Sequence, residues 1–329
     1  MTEPDTGLVE VRGLTKHFPM PSSFLRRDKP VMHALNGVTL RVERGEAFCL
    51  VGESGCGKTT LGRTIMGLWR PTSGSVHYDG QRIDDLNDRA MLAFRRRMQM
   101  IFQNPYASLN PRMTVRQALE EPLRFHQPDL DTAAVQERVE VVMRSVGNDP
   151  AWASRYPHEF SGGQRQRISI ARALMTDPEF IVADEPVSAL DVSVQAQVLN
   201  VLMAARRDRS LTYLFITHDL SVVEHIGTRV AVMYLGTVCE LAPTKTLFAR
   251  PRHPYTQTLL AAIPKMDGQP FSHVKVPGEV PSPLSLPSGC VFHNRCQHAN
   301  ARCRSEVPVL NAVQDGASVA CHAVEEGRI

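Results

Sequence analysis

The stretch AFCLVGESGCGKTTLGRTIMGL, residues 47–68, constrains this chain more than any other. The apolar run from Ala47 to Val51 reads as a buried strand and Gly52 to Gly57 as a glycine-rich turn. Thr59 onward has helical spacing, with Leu61, Ile65 and Leu68 on one side. This is G-x-x-x-x-G-K-T in strand, loop and helix order. Glycines let successive backbone N–H groups converge on phosphate oxygens, and the helix N-terminus adds the positive end of its dipole. Lys58 is expected to neutralise the β- and γ-phosphates and the Thr59 hydroxyl to ligate Mg²⁺. Gly52, Ser54, Gly55, Cys56, Gly57, Lys58, Thr59 and Thr60 are the candidate contacts to a nucleotide. Cys56 reads as a small side chain filling a tight turn. The motif points to a nucleoside triphosphate without saying what its energy does.

A second apolar run, FIVADEP, gives a strand from Phe180 to Ala183 that ends in Asp184 and Glu185. The carboxyl end of a parallel strand is where side chains meet a ligand crevice. Asp184 is expected to hold Mg²⁺ in its second shell, and Glu185 to orient or deprotonate an attacking water.

Composition narrows the class. The 329 residues are 43% hydrophobic and 22% charged, as in a soluble globular chain with ample material for a core. The net charge of +3 is too small to imply nucleic acid. The densest basic run, Arg95-Arg96-Arg97, reads as a solvated helix face. The start, MTEPDTGLVEVRG, lacks the order of a secretory signal, and no apolar run approaches a membrane span. The expectation is a cytosolic chain or one peripheral to a membrane, where thiols stay reduced and clustered cysteines bind metal or do chemistry.

Between the two strands runs YPHEFSGGQRQRISIARALMTDP. Ser161-Gly162-Gly163-Gln164 opening an arginine-bearing helix resembles the signature of ABC-type ATPases. Ser161 starts a helix and two glycines expose its free N–H groups, which makes a second anion site. The resemblance implies an α/β fold: a P-loop NTPase of the ABC nucleotide-binding type, residues 1–250, with an inserted helical subdomain over about 104–176. A small cysteine-bearing C-terminal extension, residues 251–329, follows. It also implies that the Ser161 helix end closes on the nucleotide of a partner subunit, so that two chains sandwich two ATP molecules.

Other positions match that family. Gln103 resembles the glutamine that joins core to helical subdomain and touches Mg²⁺ and water. Ser188-Ala189-Leu190-Asp191 resembles the loop that crosses the dimer interface, and His218, after a strand from Tyr213 to Ile216, the switch histidine at the γ-phosphate. Phe18 is the candidate for stacking on adenine. The Pro-bearing, basic insertion between it and Leu35 reads as a surface loop near a membrane or partner.

One phosphate loop and one signature make a single nucleotide-binding domain without internal repeat. A transporter subunit, a soluble ABC protein acting on nucleic acid or ribosomes, and a regulatory module remain open at that level. The tail carries the resemblance further. Arg252-His253-Pro254-Tyr255-Thr256, then VPGEVPSPLSLPSGC, is similar to the C-terminal extension of ATPases from dipeptide and oligopeptide importers, most closely the second ATPase of dipeptide systems. Such a resemblance implies a second ABC ATPase, two integral permease subunits and an extracytoplasmic substrate-binding protein, with this chain peripheral at the cytoplasmic face and no nucleic acid bound. Nickel and glutathione importers share the pattern, so the solute rests on analogy. Gln103 to Val115, with Arg112, is the expected surface for permease coupling helices.

Cys290, Cys296, Cys303 and Cys321 are separated by five, six and seventeen residues, a spacing that identifies no metal. Four thiolates suit tetrahedral zinc or a cubane cluster. The resemblance implies a [4Fe-4S] cluster on these four. His293, His298 and His322 keep zinc as an alternative, and four unligated thiols are the plain one. Cys49 and Cys239 read as core.

Overall fold

The computed structural model of the protein describes residues 7–20, 30–104, 108–262 and 278–329. In chain order, β1 (Val9–Pro19), β2 (Val31–Val42), β3 (Ala47–Val51), α1 (Lys58–Ile65), β4 (Ser73–Tyr78) and β5 (Gln81–Arg82) come first. Then follow α2 (Asp88–Arg97), β6 (Met98–Ile101), α3 (Val115–His126), α4 (Thr132–Ser145), α5 (Gly162–Leu174), β7 (Phe180–Asp184), α6 (Val192–Arg209) and β8 (Thr212–Ile216). The last part holds α7 (Leu220–Ile226), β9 (Arg229–Tyr234), β10 (Thr237–Pro243), α8 (Thr244–Ala249) and α9 (Pro254–Ala261). It closes with α10 (Ala301–Ser305), β11 (Asn311–Ala312), β12 (Ser318–Val319) and α11 (His322–Glu325).

Two compact units form. The first comprises Met1–Val42, Ala47–Asp85 and Thr217–Ile329. It contains an antiparallel sheet of order β2-β1-β4-β5 and the strand series β11-β12-β10-β9-β3. β3 lies parallel to β9, with Cys49 opposite Val230 and Val51 opposite Val232. All five residues of β3 are buried, as expected for an unalternating apolar run covered on both faces. Cys49 and Cys239 sit in this core, as their strand contexts predict. β12 continues the series by pairing Val319 with Glu240 and Ser318 with Leu241.

The second unit comprises Glu43–Glu46 and Leu86–Ile216. Its parallel series β8-β7-β6 aligns Val182 with Leu214 and with Met100. β7 and β8 are buried throughout. Helices α3, α4 and α5 belong to the same unit, each with a side-chain cap at its start: Thr114, Asp131 and Ser161 accept N–H bonds from the first turn.

Three expectations change. α1 ends at Ile65 because Gly67 turns left-handed at φ 68 and Leu68 donates its N–H to Arg63 O; Leu68 is therefore 51% exposed rather than on the buried helix face. Within the basic insertion, residues 21–29 lie outside the described residues, but Val31 and Met32 are strand, paired with Pro19 and Phe18. In the Arg95-Arg96-Arg97 run, Arg97 is paired as well as partly solvated. It closes a two-pronged bond to Glu179, 2.8 and 2.9 Å.

Candidate nucleotide-binding site

In the first unit, β3 feeds the chain directly into the glycine-rich loop. Gly52 has φ 151 and a Cβ there would stand 2.2 Å from Met233 O, so the backbone of β9 approaches too closely for any side chain. Lys58 starts α1 and is nearly buried, its Nζ donating to Gly52 O (2.7 Å) and Glu53 O (3.1 Å). The ammonium thus spans the loop and holds it around a centre of positive charge. Cys56 is 4% exposed and burial pushes its thiol up, which suits a packed filler rather than a nucleophile. Ser54 and Gly55 are exposed at the tip, and Thr59 and Thr60 stand in the first turn of α1, half-buried.

Two residues of this unit lie outside the motif yet hold it. The Glu53 N–H donates to Tyr255 Oη at 2.9 Å, and the Glu53 carboxylate takes two bonds from Arg295, 2.9 and 3.1 Å. Tyr255 belongs to α9, and its ring packs with Tyr234 and Phe292 at 4.8 and 5.4 Å. Tyr255 stands in a string singled out for family likeness. Arg295 carries no local signal in the sequence at all, since its partner is distant along the chain.

Phe18, half-buried on β1, meets Trp69 edge to face at 5.1 Å, with Lys16 Nζ 4.8 Å from the Phe18 ring centroid. His218 is exposed just after β8, in the turn where Asp219 accepts the Ser221 N–H to open α7.

The second unit holds the other candidates. Asp184 closes β7 and is almost wholly buried. Glu185 follows with φ 46, and its N–H donates to Ile216 O at 2.9 Å, so the strand end is bent out of register by a left-handed residue. Gln103, exposed after β6, donates its side-chain amide to the Glu185 carboxylate at 2.8 Å. Ser161 and Gln164 form a capping box at the start of α5: Ser161 Oγ accepts the Gln164 N–H, and Gln164 Oε1 accepts the Ser161 N–H, 3.0 Å. The N–H groups of Gly162 and Gly163 remain in the first turn, where no intrahelical acceptor exists. Gly163 is packed so closely against α6 that a Cβ would lie 2.2 Å from Val194 Cγ1. Asp191 caps α6 by position while its side chain makes no capping bond.

The candidates thus fall into two sets, Phe18, the 52–60 loop and His218 in one unit, Gln103, Ser161 to Gln164, Asp184, Glu185 and Asp191 in the other.

Relatives decide the family. Over 316 residues the chain is 52% identical to the probable peptide ABC transporter ATP-binding protein y4tS of Sinorhizobium fredii, covering 96% of this chain and 89% of that one. The chain belongs to the ABC transporter family. That ABC transporter family matches residues 35–188, and the oligopeptide/dipeptide transporter C-terminal region matches 239–303. The oligopeptide transport ATP-binding protein AppF of Bacillus subtilis is 46% identical over 96% of this chain and 97% of its own length. The dipeptide transport ATP-binding protein DppF of Haemophilus influenzae is 45% identical over 98% of each. Among solved structures, the post-hydrolysis dimer of the ATP-binding cassette MJ0796 bound to ADP and Pi superposes with a TM-score of 0.65 at 29% identity, covering 72% of this chain and 98% of that one. As an ABC ATPase the protein uses ATP with Mg²⁺. No helix among the described residues is long and apolar enough to cross a membrane.

The four tail cysteines of this ABC protein belong to the first unit. Burial first, then the nearby Cys321, Cys303 and Cys296 thiols, push the Cys290 thiol up to about 11. A single zinc draws its thiolates to about 2.3 Å. Among the described residues no group of three or more His, Cys, Asp or Glu side chains is placed to hold a metal ion. One ring nitrogen each of His293 and His322 meets a backbone carbonyl, at Cys290 O (2.9 Å) and Glu306 O (3.0 Å), and His322 Nδ1 lies 3.6 Å from the Glu325 carboxylate.

Proposed function

We propose that this protein is the ATP-hydrolysing subunit of a multi-subunit importer of dipeptides or oligopeptides. One observation carries the catalytic half: the Glu185 carboxylate, at the end of a buried strand, is held by the Gln103 amide. A base fixed in this way can orient a water and take its proton, which is the main work left in phosphoryl transfer once charge is neutralised. Lys58 neutralises the β- and γ-phosphates and the backbone N–H groups of residues 52–60 bind them. Phe18 stacks on adenine, and His218 contacts the γ-phosphate. Mg²⁺ would need few protein ligands where phosphates supply the rest: the hydroxyl of Thr59 and the amide oxygen of Gln103 are the hard oxygen donors it prefers, and the carboxylate of Asp184 would hold it indirectly. When bound, it offsets charge on the phosphate oxygens.

Ser161 to Gln164 and Asp191 act on the nucleotide of a second ABC ATPase in a sandwich dimer, so the chain alone is a poor ATPase. The N–H groups in the first turn of α5 and the Asp191 side chain, which makes no capping bond, support this. The two remaining partners are integral permease subunits, fed by an extracytoplasmic substrate-binding protein, with this chain peripheral at the cytoplasmic face. Peptides as the solute follow from the relatives and the C-terminal region; a nickel or glutathione importer is the second reading. A groove of about 350 Å³ beside Ser108, Asn110, Met113, Glu121 and Arg172 supports a coupling-helix surface within residues 103–115, of which 105–107 lie outside the described residues. Charge reversal at Arg112, exposed there, will lower transport while ATP binding stays intact.

For the tail, a [4Fe-4S] cluster on Cys290, Cys296, Cys303 and Cys321, with zinc as the alternative, is supported by the shared neighbourhood of the four thiols. Their described arrangement does not itself form a metal-holding group, and no step of hydrolysis passes through it. Iron, sulfide and zinc analysis after anaerobic purification decides between them. Co-purification from native membranes tests the whole reading: two integral subunits and a second ATPase are expected, and ribosomal or DNA-repair partners would overturn it.

A further inference from the structure

Glu53 stands between Gly52 and Ser54, inside the phosphate loop, and puts a negative charge where a triphosphate is to bind. Its backbone carbonyl accepts Lys58 Nζ (3.1 Å) and the Cys56 N–H (3.3 Å), both local to the loop. Its other groups are held from the C-terminal segment, the N–H by Tyr255 Oη and the carboxylate by the two terminal guanidinium nitrogens of Arg295, Nη1 and Nη2. Arg295 is no mobile surface partner. Its side chain is 6% exposed, lies over the Tyr234 and Phe292 rings at 5.7 and 5.9 Å, and donates to Tyr234 Oη at 3.3 Å. A forked cation fixed in an aromatic pocket spends little entropy in keeping one geometry.

We propose that Arg295 and Tyr255 are positioning residues for the nucleotide site: the C-terminal segment sets the affinity of the loop by cancelling the charge of Glu53 and fixing its peptide. The proposal rests on the reading of residues 52–60 as the ATP loop and adds a control on it from 242 residues away. Without Arg295, the Glu53 carboxylate repels the incoming phosphates. Without the Tyr255 oxygen, the peptide that begins the cradle loses its outer anchor.

The test is titration of the purified full chain with a fluorescent ATP analogue at low and at moderate salt. Arg295→Met keeps the apolar stem against Tyr234 and Phe292 and removes the charge. It is expected to raise Kd roughly fivefold to tenfold, an effect that shrinks as salt rises. Adding Glu53→Gln to that variant restores Kd to within about twofold of Glu53→Gln alone, a rescue that a merely structural role would not produce. An Arg295→Met chain with wild-type Kd, or a double variant no better than the single one, overturns the proposal. Should Arg295→Met not fold, Tyr255→Phe carries the test: a raised Kd supports the anchor and an unchanged one overturns it. A wild-type chain that binds no nucleotide would sink the ATP-site reading instead.

Discussion

Gln103 and Glu185 are joined by one amide-to-carboxylate hydrogen bond of 2.8 Å, made from the end of β6 to the end of β7. It fixes the carboxylate without neutralising it. Glu185→Gln is therefore expected to cut ATP hydrolysis by about 10²-fold or more while nucleotide binding persists, because it removes the proton acceptor and leaves the phosphate loop untouched. Gln103→Ala should reduce turnover less, on the order of tenfold, since Glu185 keeps its charge but loses its orientation. Phosphate release by the assembled transporter, measured beside nucleotide affinity, separates the two effects.

Gly52 cannot accept a side chain. With φ 151 and the Met233 carbonyl 2.2 Å from a would-be Cβ, Gly52→Ala must displace either β9 or the loop. The expected result is loss of ATP binding with a stability cost of about 1–3 kcal/mol. Parallel nucleotide titration and chemical denaturation check it.

His253 ties acidity to the stability of the first unit. Burial lowers its pKa from the ordinary 6.5 to about 4, and its Nδ1 accepts the Tyr255 N–H at 3.0 Å. The folded protein therefore holds His253 neutral where the unfolded chain already takes up a proton. Stability from this group is complete above pH about 6.5 and is lost as pH falls toward about 4, by up to about 3 kcal/mol. Denaturation midpoints measured across that window should fall more steeply for the wild type than for His253→Gln.

Arg97 and Glu179 give a simpler test. Their two-pronged pair is about one-third exposed on the arginine side, so Arg97→Ala should destabilise the second unit by about 1 kcal/mol, and less at high salt. Arg96→Ala offers the comparison within the same basic run.

What could be read without coordinates was whatever repeats a local rule. β3, the glycine turn and α1 carry their own spacing, and the helix start at Ser161 is legible from a serine followed by two glycines, to which the structure adds the reciprocal bond from Gln164. Leu68 departs from its helical spacing because periodicity does not register the left-handed Gly67 that stops the helix first. The solvated face of the Arg95-Arg96-Arg97 run is legible, but a run of like charges says nothing of the partner Arg97 finds at Glu179. Arg295 was invisible for the same reason at greater range: long-range ion pairs leave no mark on neighbouring residues. The Gln103 contact to Glu185 is legible nowhere in QNPYASLNP, and the family likeness gives that glutamine Mg²⁺ and water rather than the carboxylate.

The short pairing of Val319 and Ser318 with Glu240 and Leu241 has a practical consequence. A chain shortened before residue 311 would leave the outer flank of β10, the run TVCELAP, with open amides and carbonyls, a ready template for intermolecular strand addition. Shortened versions intended to isolate the nucleotide domain should accordingly accumulate as insoluble material, and a charged or proline residue placed on that flank should bring them back into solution.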